Sequence, residues 1–209
     1  MTEARVLRLL LATLAAVALT GMAASAALAV DPGWTRATIS ALTIDRGAAL
    51  PFRLTMVAIG VLLLAIAWWS RPTVRRLVGG GAARAPARVV PAAIATMGLG
   101  AIGVALFPTV DQPAILIAHG TAAYAIPVVA IGLMVGARPA IPSLGDRFGR
   151  ASLAGLAAIL VLYLAAIAGL VPYAAMELVA FGVVGAWLVG FLAALTALVP
   201  GLTGGTGAP

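Results

Sequence analysis

The amino-acid sequence predicts an all-α membrane protein: a six-transmembrane-helix bundle, N-in and C-in, with both termini in the cytoplasm. Three observations carry that expectation. Of the 209 residues, 63% are hydrophobic and only 9% are charged, too little polar material to coat a water-soluble fold. The apolar residues fall in runs of roughly 20, the length at which a helix crosses the hydrocarbon of a bilayer. The basic residues are all arginine and gather on alternate connections between those runs.

Six segments follow in order: Leu7–Val30, Leu54–Trp69, Val89–Phe107, Ala114–Gly136, Ala151–Val171 and Leu178–Val199. They make a single transmembrane domain over 1–200, with a flexible tail at 201–209. Each segment is apolar on all sides, and Pro, Gly and charge mark the gaps between them. Barrel strands are excluded, because they would run about 10 residues and alternate. The first segment has a rival reading as a cleavable leader, since Arg5 and Arg8 precede it and Ala27-Leu28-Ala29 ends it. Its apolar stretch exceeds the roughly 7–15 residues of a leader's core, which favours a retained span. Trp68 and Trp69 close the second segment as interfacial anchors, and Gly79-Gly80-Gly81 forms a flexible linker beyond them. Pro127 lies inside the fourth segment, where it frees a carbonyl one turn earlier and predicts a bend.

The arginines set the direction. Arg5, Arg8, Arg71, Arg75, Arg76, Arg84, Arg88, Arg138, Arg147 and Arg150 fall on one side, and only Arg36, Arg46 and Arg53 on the other. The positive-inside rule makes the first side cytoplasmic. Asp31, Asp45, Asp111 and Glu177 then lie outside, and Glu3 and Asp146 inside.

The chain has neither cysteine nor lysine, which removes disulfides, thiolate ligands, a Schiff base and the phosphate-binding lysine of a P-loop. No cofactor and no metal site is expected. Ionisable residues within a span are costly and informative, and His119, the single histidine, lies about 1.5 turns into the fourth span. With Ser40, Asp111 and Glu177 it defines a candidate outer polar pocket, although Asp111 also fits the N-cap of the fourth helix. Small residues at four-residue spacing predict helix packing, first at Gly132 and Gly136 and at Ala151 and Gly155, then at Gly182, Ala186 and Gly190. That packing is expected within the monomer. Tyr124, Tyr163 and Trp187 are expected in the core.

Certain short runs have a familiar order: Asp31-Pro32-Gly33-Trp34 leading to Ile39-Ser40-Ala41-Leu42, then Leu106-Phe107-Pro108-Thr109 with Asp111, then His119-Gly120 with Ala122-Ala123. In these the chain resembles the bacterial six-span membrane-protein family catalogued as domain of unknown function 998, over roughly Leu10 to Leu195. The resemblance implies six spans and marks Ser40, Asp111 and His119 as candidates, without naming a reaction. The chain departs from the family's usual pattern at Ala41, where a Glu is common, and at Thr43, where a Gly is common. Its aspartate also sits one position later.

Three functions compete. The first is a non-enzymatic protein of the bacterial plasma membrane whose partners are the lipid bilayer and a bound lipid or a membrane-protein partner, with no nucleic acid. The second is a small transporter or channel, suggested by Pro127, by the intramembrane His119, and by a weak likeness between Leu106-Phe107-Pro108 and Leu170-Val171-Pro172. The third is an intramembrane lipid-modifying hydrolase that would need Ser40, Asp111 and His119 to converge.

Overall fold

The computed structural model describes residues 3–78 and 84–198. The Gly79–Gly81 linker and the 201–209 tail lie outside the described residues. Six helices follow in order: α1 (Glu3–Leu28), α2 (Ala49–Val78), α3 (Arg84–Leu106), α4 (Pro113–Ala140), α5 (Gly145–Ile167) and α6 (Tyr173–Ala197). Short 3-10 turns occupy Pro32–Thr35, Ile39–Thr43 and Pro142–Leu144. Among the described residues no strand occurs, and all six helices are long and apolar enough to cross a membrane.

Several helices overrun the apolar segments. α2 begins before Leu54 and continues past Trp69 through Arg71, Pro72, Arg75 and Arg76. Pro72 cannot bond the carbonyl of Trp68, yet the helix carries on to Val78. Pro127 is likewise absorbed within the continuous α4, alongside Pro139. α5 closes with a Schellman motif: Leu170 N–H reaches Ala165 O at 2.9 Å and Gly169 N–H reaches Ala166 O at 3.0 Å. Gly169 supplies the left-handed backbone this requires, with φ 73°.

Each helix packs against the next in sequence, most extensively α2 on α3 and then α3 on α4, while α6 returns to touch α1 and α2. One continuous apolar core draws on α1, α2, α3, α4, α6 and the Ile39–Thr43 turn. α5 lies at its edge, contributing the partly buried Phe148 and Leu156. The beginning of α1 and the finish of α6 share one end of the bundle, called the near end below. There Glu3 accepts a hydrogen bond from Thr73 Oγ1 and pairs with Arg76 at 3.5 Å, tying α1 to the last turns of α2. Arg138 pairs with Asp146 across the α4–α5 turn.

Lipid offers an apolar helix face as good a home as another helix does, so helices in a bilayer associate through close backbone approach. The glycines that provide it belong to α2 and α3. A Cβ on Gly60 would lie 2.6 Å from Gly98 O, and one on Gly98 would lie 2.8 Å from Gly60 O. On the other flank of α3, a Cβ on Gly100 would lie 2.8 Å from Ala122 O, and one on Gly103 would lie 2.6 Å from Ala122 Cβ. The α4 and α6 glycines expected to pack within the monomer do not. A Cβ on Gly132, Gly136, Gly182 or Gly190 would meet nothing within 4 Å, and Ala186 is exposed. Of the small residues the spacing singled out, Gly155 is close-packed, with Met134 Cε 3.0 Å and Val183 Cγ1 3.3 Å from where a Cβ would stand.

The aromatic residues divide similarly. Trp187 is buried, donates to Ser152 Oγ at 2.7 Å and stacks on Phe191, their ring centroids 5.0 Å apart. Tyr124 and Tyr163 are not core residues but face outward. Trp68 and Trp69 also face outward, with the Arg71 guanidinium 4.8 Å above the Trp68 ring.

The same substitution should therefore have opposite effects at two sites. Gly98→Ala must push α2 and α3 apart and should cost roughly 1–3 kcal/mol. Gly132→Ala should change stability by no more than about 1 kcal/mol, in the stabilising direction, by removing a helical glycine. Unfolding of each full-length variant in mixed micelles measures both; equal losses at the two positions would refute the packing assignment.

Candidate functional site

At the far end of the bundle the chain runs from Leu28, where α1 ends, to Ala49, where α2 begins, and one carboxylate organises that connection. Asp45 Oδ2 accepts from the backbone N–H of Asp31 at 2.9 Å and of Val30 at 3.0 Å, while Oδ1 accepts from Gly47 and Ala48, each at 2.9 Å. The same side chain therefore caps the start of α2 and pins the exit of α1. These N–H groups, above all those of Asp31 and Ala48, lower its pKa from 3.8 to about 2 by favouring the charged form. Earlier in the loop, Asp31 Oδ1 accepts from Gly33 N–H at 2.7 Å, starting the Pro32–Thr35 turn.

Closing the loop in this way presses Ile39–Thr43 into the bundle. Ile39, Leu42 and Thr43 are buried there. Two neighbours hold the turn. Glu177, in the second turn of α6, accepts from Ile39 N–H at 2.6 Å. Thr109, in the α3–α4 connection, donates from its backbone N–H to Thr43 Oγ1 at 3.1 Å, and its hydroxyl lies 3.1 Å from Thr43 Oγ1 and 3.3 Å from Ser40 O. Thr43 Oγ1 also donates to Ser40 O at 2.7 Å.

Two residues before Thr109, Phe107 O lies 2.5 Å from Nδ1 of His119. A carbonyl can only accept, so Nδ1 carries a proton, which makes Nε2 the acceptor of the neutral ring. His119 is 4% exposed, and Nε2 is buried without a hydrogen-bond partner among the described residues. Arg53 Nε, near the start of α2 at the same end, is a second buried polar atom without one. Buried polar groups in folded proteins are nearly always satisfied, which makes both atoms candidates for an outside partner.

No family model, no curated protein and no solved structure matches this chain. The site must be read from its own geometry.

Of the four residues expected to form the pocket, Glu177 and Ser40 meet on the same turn: one holds the Ile39 N–H, and the carbonyl of the other receives two threonine hydroxyls. His119 joins them through the Phe107–Thr109 segment. Asp111 does not join. It is exposed and bonds to none of the others, and it is not the cap of α4, because Gln112 stands at that position without a side-chain cap bond. Ser40 Oγ is paired with Thr38 Oγ1 at 2.8 Å, and His119 turns one nitrogen to a carbonyl and the other to no partner. Among the described residues no hydrogen bond links a nucleophile to a base in the manner of an acyl-transfer triad.

Sequence reasoning left Asp45, Thr43 and Thr109 without roles. The signal for Asp45 was present, since an aspartate two residues before a glycine at a helix start reads as a turn-and-cap residue. The pairing of Thr43 with Thr109 is 66 residues apart in sequence and had none.

Two outcomes follow. Because the Asp45 pKa is depressed on folding, its stabilisation is complete above pH 3.8 and is lost as the pH falls towards 2. Asp45→Asn should lower the melting temperature at neutral pH and flatten its decline between about pH 4 and 2; an acid profile parallel to wild type would oppose this. Glu177→Ala should cost roughly 1–3 kcal/mol by leaving the Ile39 N–H unsatisfied, with Glu177→Gln recovering part of that loss in chemical unfolding. No loss for Glu177→Ala would show that the turn is held without it.

Proposed function

We propose that this multi-pass protein resides in a bacterial plasma membrane with both termini cytoplasmic, and that it binds a lipid or a membrane-protein partner at its outer end without catalysing a reaction. The observation that carries this reading is His119 Nε2: a buried acceptor in the neutral ring, oriented by the Phe107 carbonyl, with no partner among the described residues. A group that donates a hydrogen bond, such as a lipid hydroxyl or ammonium or a partner's side chain, would satisfy it once the residues that cover Nε2 move aside. The lone pair on a neutral imidazole suits such a donor, whereas a catalytic base would need a nucleophile within reach. The arginine distribution supports the orientation, with near-end residues such as Arg5, Arg8, Arg71 and Arg138 assigned to the cytoplasm. The protein is proposed as a member of the domain of unknown function 998 family, whose resemblance marks Ser40, Asp111 and His119; of these, Asp111 stands apart from the other two. Ser40 and Glu177 serve by holding the turn, and His119 by meeting the ligand.

Native mass spectrometry of gently extracted full-length protein tests the proposal. Wild type should retain a lipid or a partner. His119→Phe keeps a flat ring but removes both the acceptor and the N–H that bonds Phe107 O, and should lose that companion and unfold roughly 1–3 kcal/mol more easily while its helical content stays close to wild type. Wild type emerging bare, or a companion retained equally by both proteins, would rule the outer site out.

A further inference from the structure

A groove lies at the opposite end of the molecule from His119. It lies between α1 and α6, has a volume of about 240 Å³ and is lined by Leu7, Arg8, Leu11, Ala193, Thr196 and Ala197. Leu7 and Leu11 are buried, so the first turns of α1 are already docked and the groove is preformed. Ala193 and Ala197 are one turn apart on α6 and exposed, and their small side chains leave the channel open. Thr196 donates to Ala193 O at 2.8 Å, which satisfies its hydroxyl locally and leaves the channel suited to hydrocarbon.

The rim is different in kind. Arg8 is exposed, and Arg5 stands three residues earlier on the same side of α1. The chain has six acidic residues, and four of them (Asp31, Asp45, Asp111 and Glu177) belong to the far end. The two at the near end are already engaged, Glu3 with Thr73 and Arg76 and Asp146 with Arg138. Among the described residues Arg8 therefore has no carboxylate to pair with, although it lines an otherwise largely apolar groove.

We infer that the α1–α6 groove seats one anionic phospholipid, an acyl chain lying along Ala193 and Ala197 over the buried Leu7 and Leu11, with the phosphate on Arg8. A guanidinium recognises phosphate oxygens through paired N–H donors, and a headgroup with net negative charge leaves that interaction uncancelled.

The test uses full-length protein in mild detergent, offered phosphatidylglycerol or phosphatidylcholine with identical chains and read by native mass spectrometry. Phosphatidylglycerol should be retained preferentially at one per chain. Arg8→Gln should weaken its retention about fivefold and abolish the preference, and Arg8→Lys, which keeps the charge but not the paired donors, should restore only part of it. Ala193→Phe, at an exposed position, should block the channel and lose the lipid with an unchanged melting temperature; Ala197→Phe serves the same purpose should Ala193→Phe fail to fold. His119→Phe should leave this retention intact, which separates the site from the outer one. A preference that survives Arg8→Gln, or retention indifferent to the phenylalanines, would overturn the inference. So would a second copy of the chain, rather than lipid, being displaced by Ala193→Phe.

Discussion

An apolar helix gains little by exchanging lipid for a neighbouring helix of the same character, so a bundle in a bilayer holds together where backbones come close enough for dispersion and weak polar contacts to act. α3 meets that condition on both flanks, through Gly98 against Gly60 of α2 and through Gly100 and Gly103 against Ala122 of α4. Gly103 is one turn below Phe107, and Ala122 is three residues beyond His119. The close contact therefore sets the register in which the Phe107 carbonyl meets the His119 ring, and it places Thr109 where Thr43 can reach it. Side chains at Gly98, Gly100 or Gly103 would separate these helices and move every partner at the far end.

The far end is consequently a clasp of main-chain hydrogen bonds more than a cluster of free side chains. Asp45 folds the first connection back on itself, Glu177 fastens it to α6, and Thr43 and Thr109 fasten it to the α3–α4 connection. Several main-chain N–H groups of this region are met by side chains of the same region. Against that background His119 Nε2 and Arg53 Nε stand out because they are not satisfied.

The number of spans was legible because a helix in hydrocarbon needs a continuous apolar run, and such runs survive any choice of packing. Helix ends were less legible. Arg71, Arg75 and Arg76 stop the hydrophobic run of α2, but not the helix, which extends into the polar interface. Small-residue spacing showed where a neighbour is able to approach and not where one does: Gly182, Ala186 and Gly190 share a face that turns outward, while the irregular trio Gly98, Gly100 and Gly103 does the packing. Tyr124 and Tyr163 were misplaced for a related reason, since lipid-facing and core-facing surfaces are both apolar and hydropathy does not separate them. Within the site, His119 was legible as a costly ionisable group inside a span and Glu177 as an acid just ahead of one, whereas Asp111 looked equivalent to Glu177 but is exposed. The threonine pair depends on two connections meeting in space, and no local pattern encodes that.

The dependence of the far end on this register is open to direct measurement, because the chain contains no cysteine of its own. Thr43→Cys and Thr109→Cys, introduced together, would bring two thiols to positions whose hydroxyl oxygens lie 3.1 Å apart. Under mild oxidation of the full-length protein in membranes, a disulfide should form nearly quantitatively, and maleimide should then label neither residue. Two free thiols that remain fully labelled would mean that the connections do not meet, and that the clasp holding Ser40, Glu177 and His119 in place does not exist.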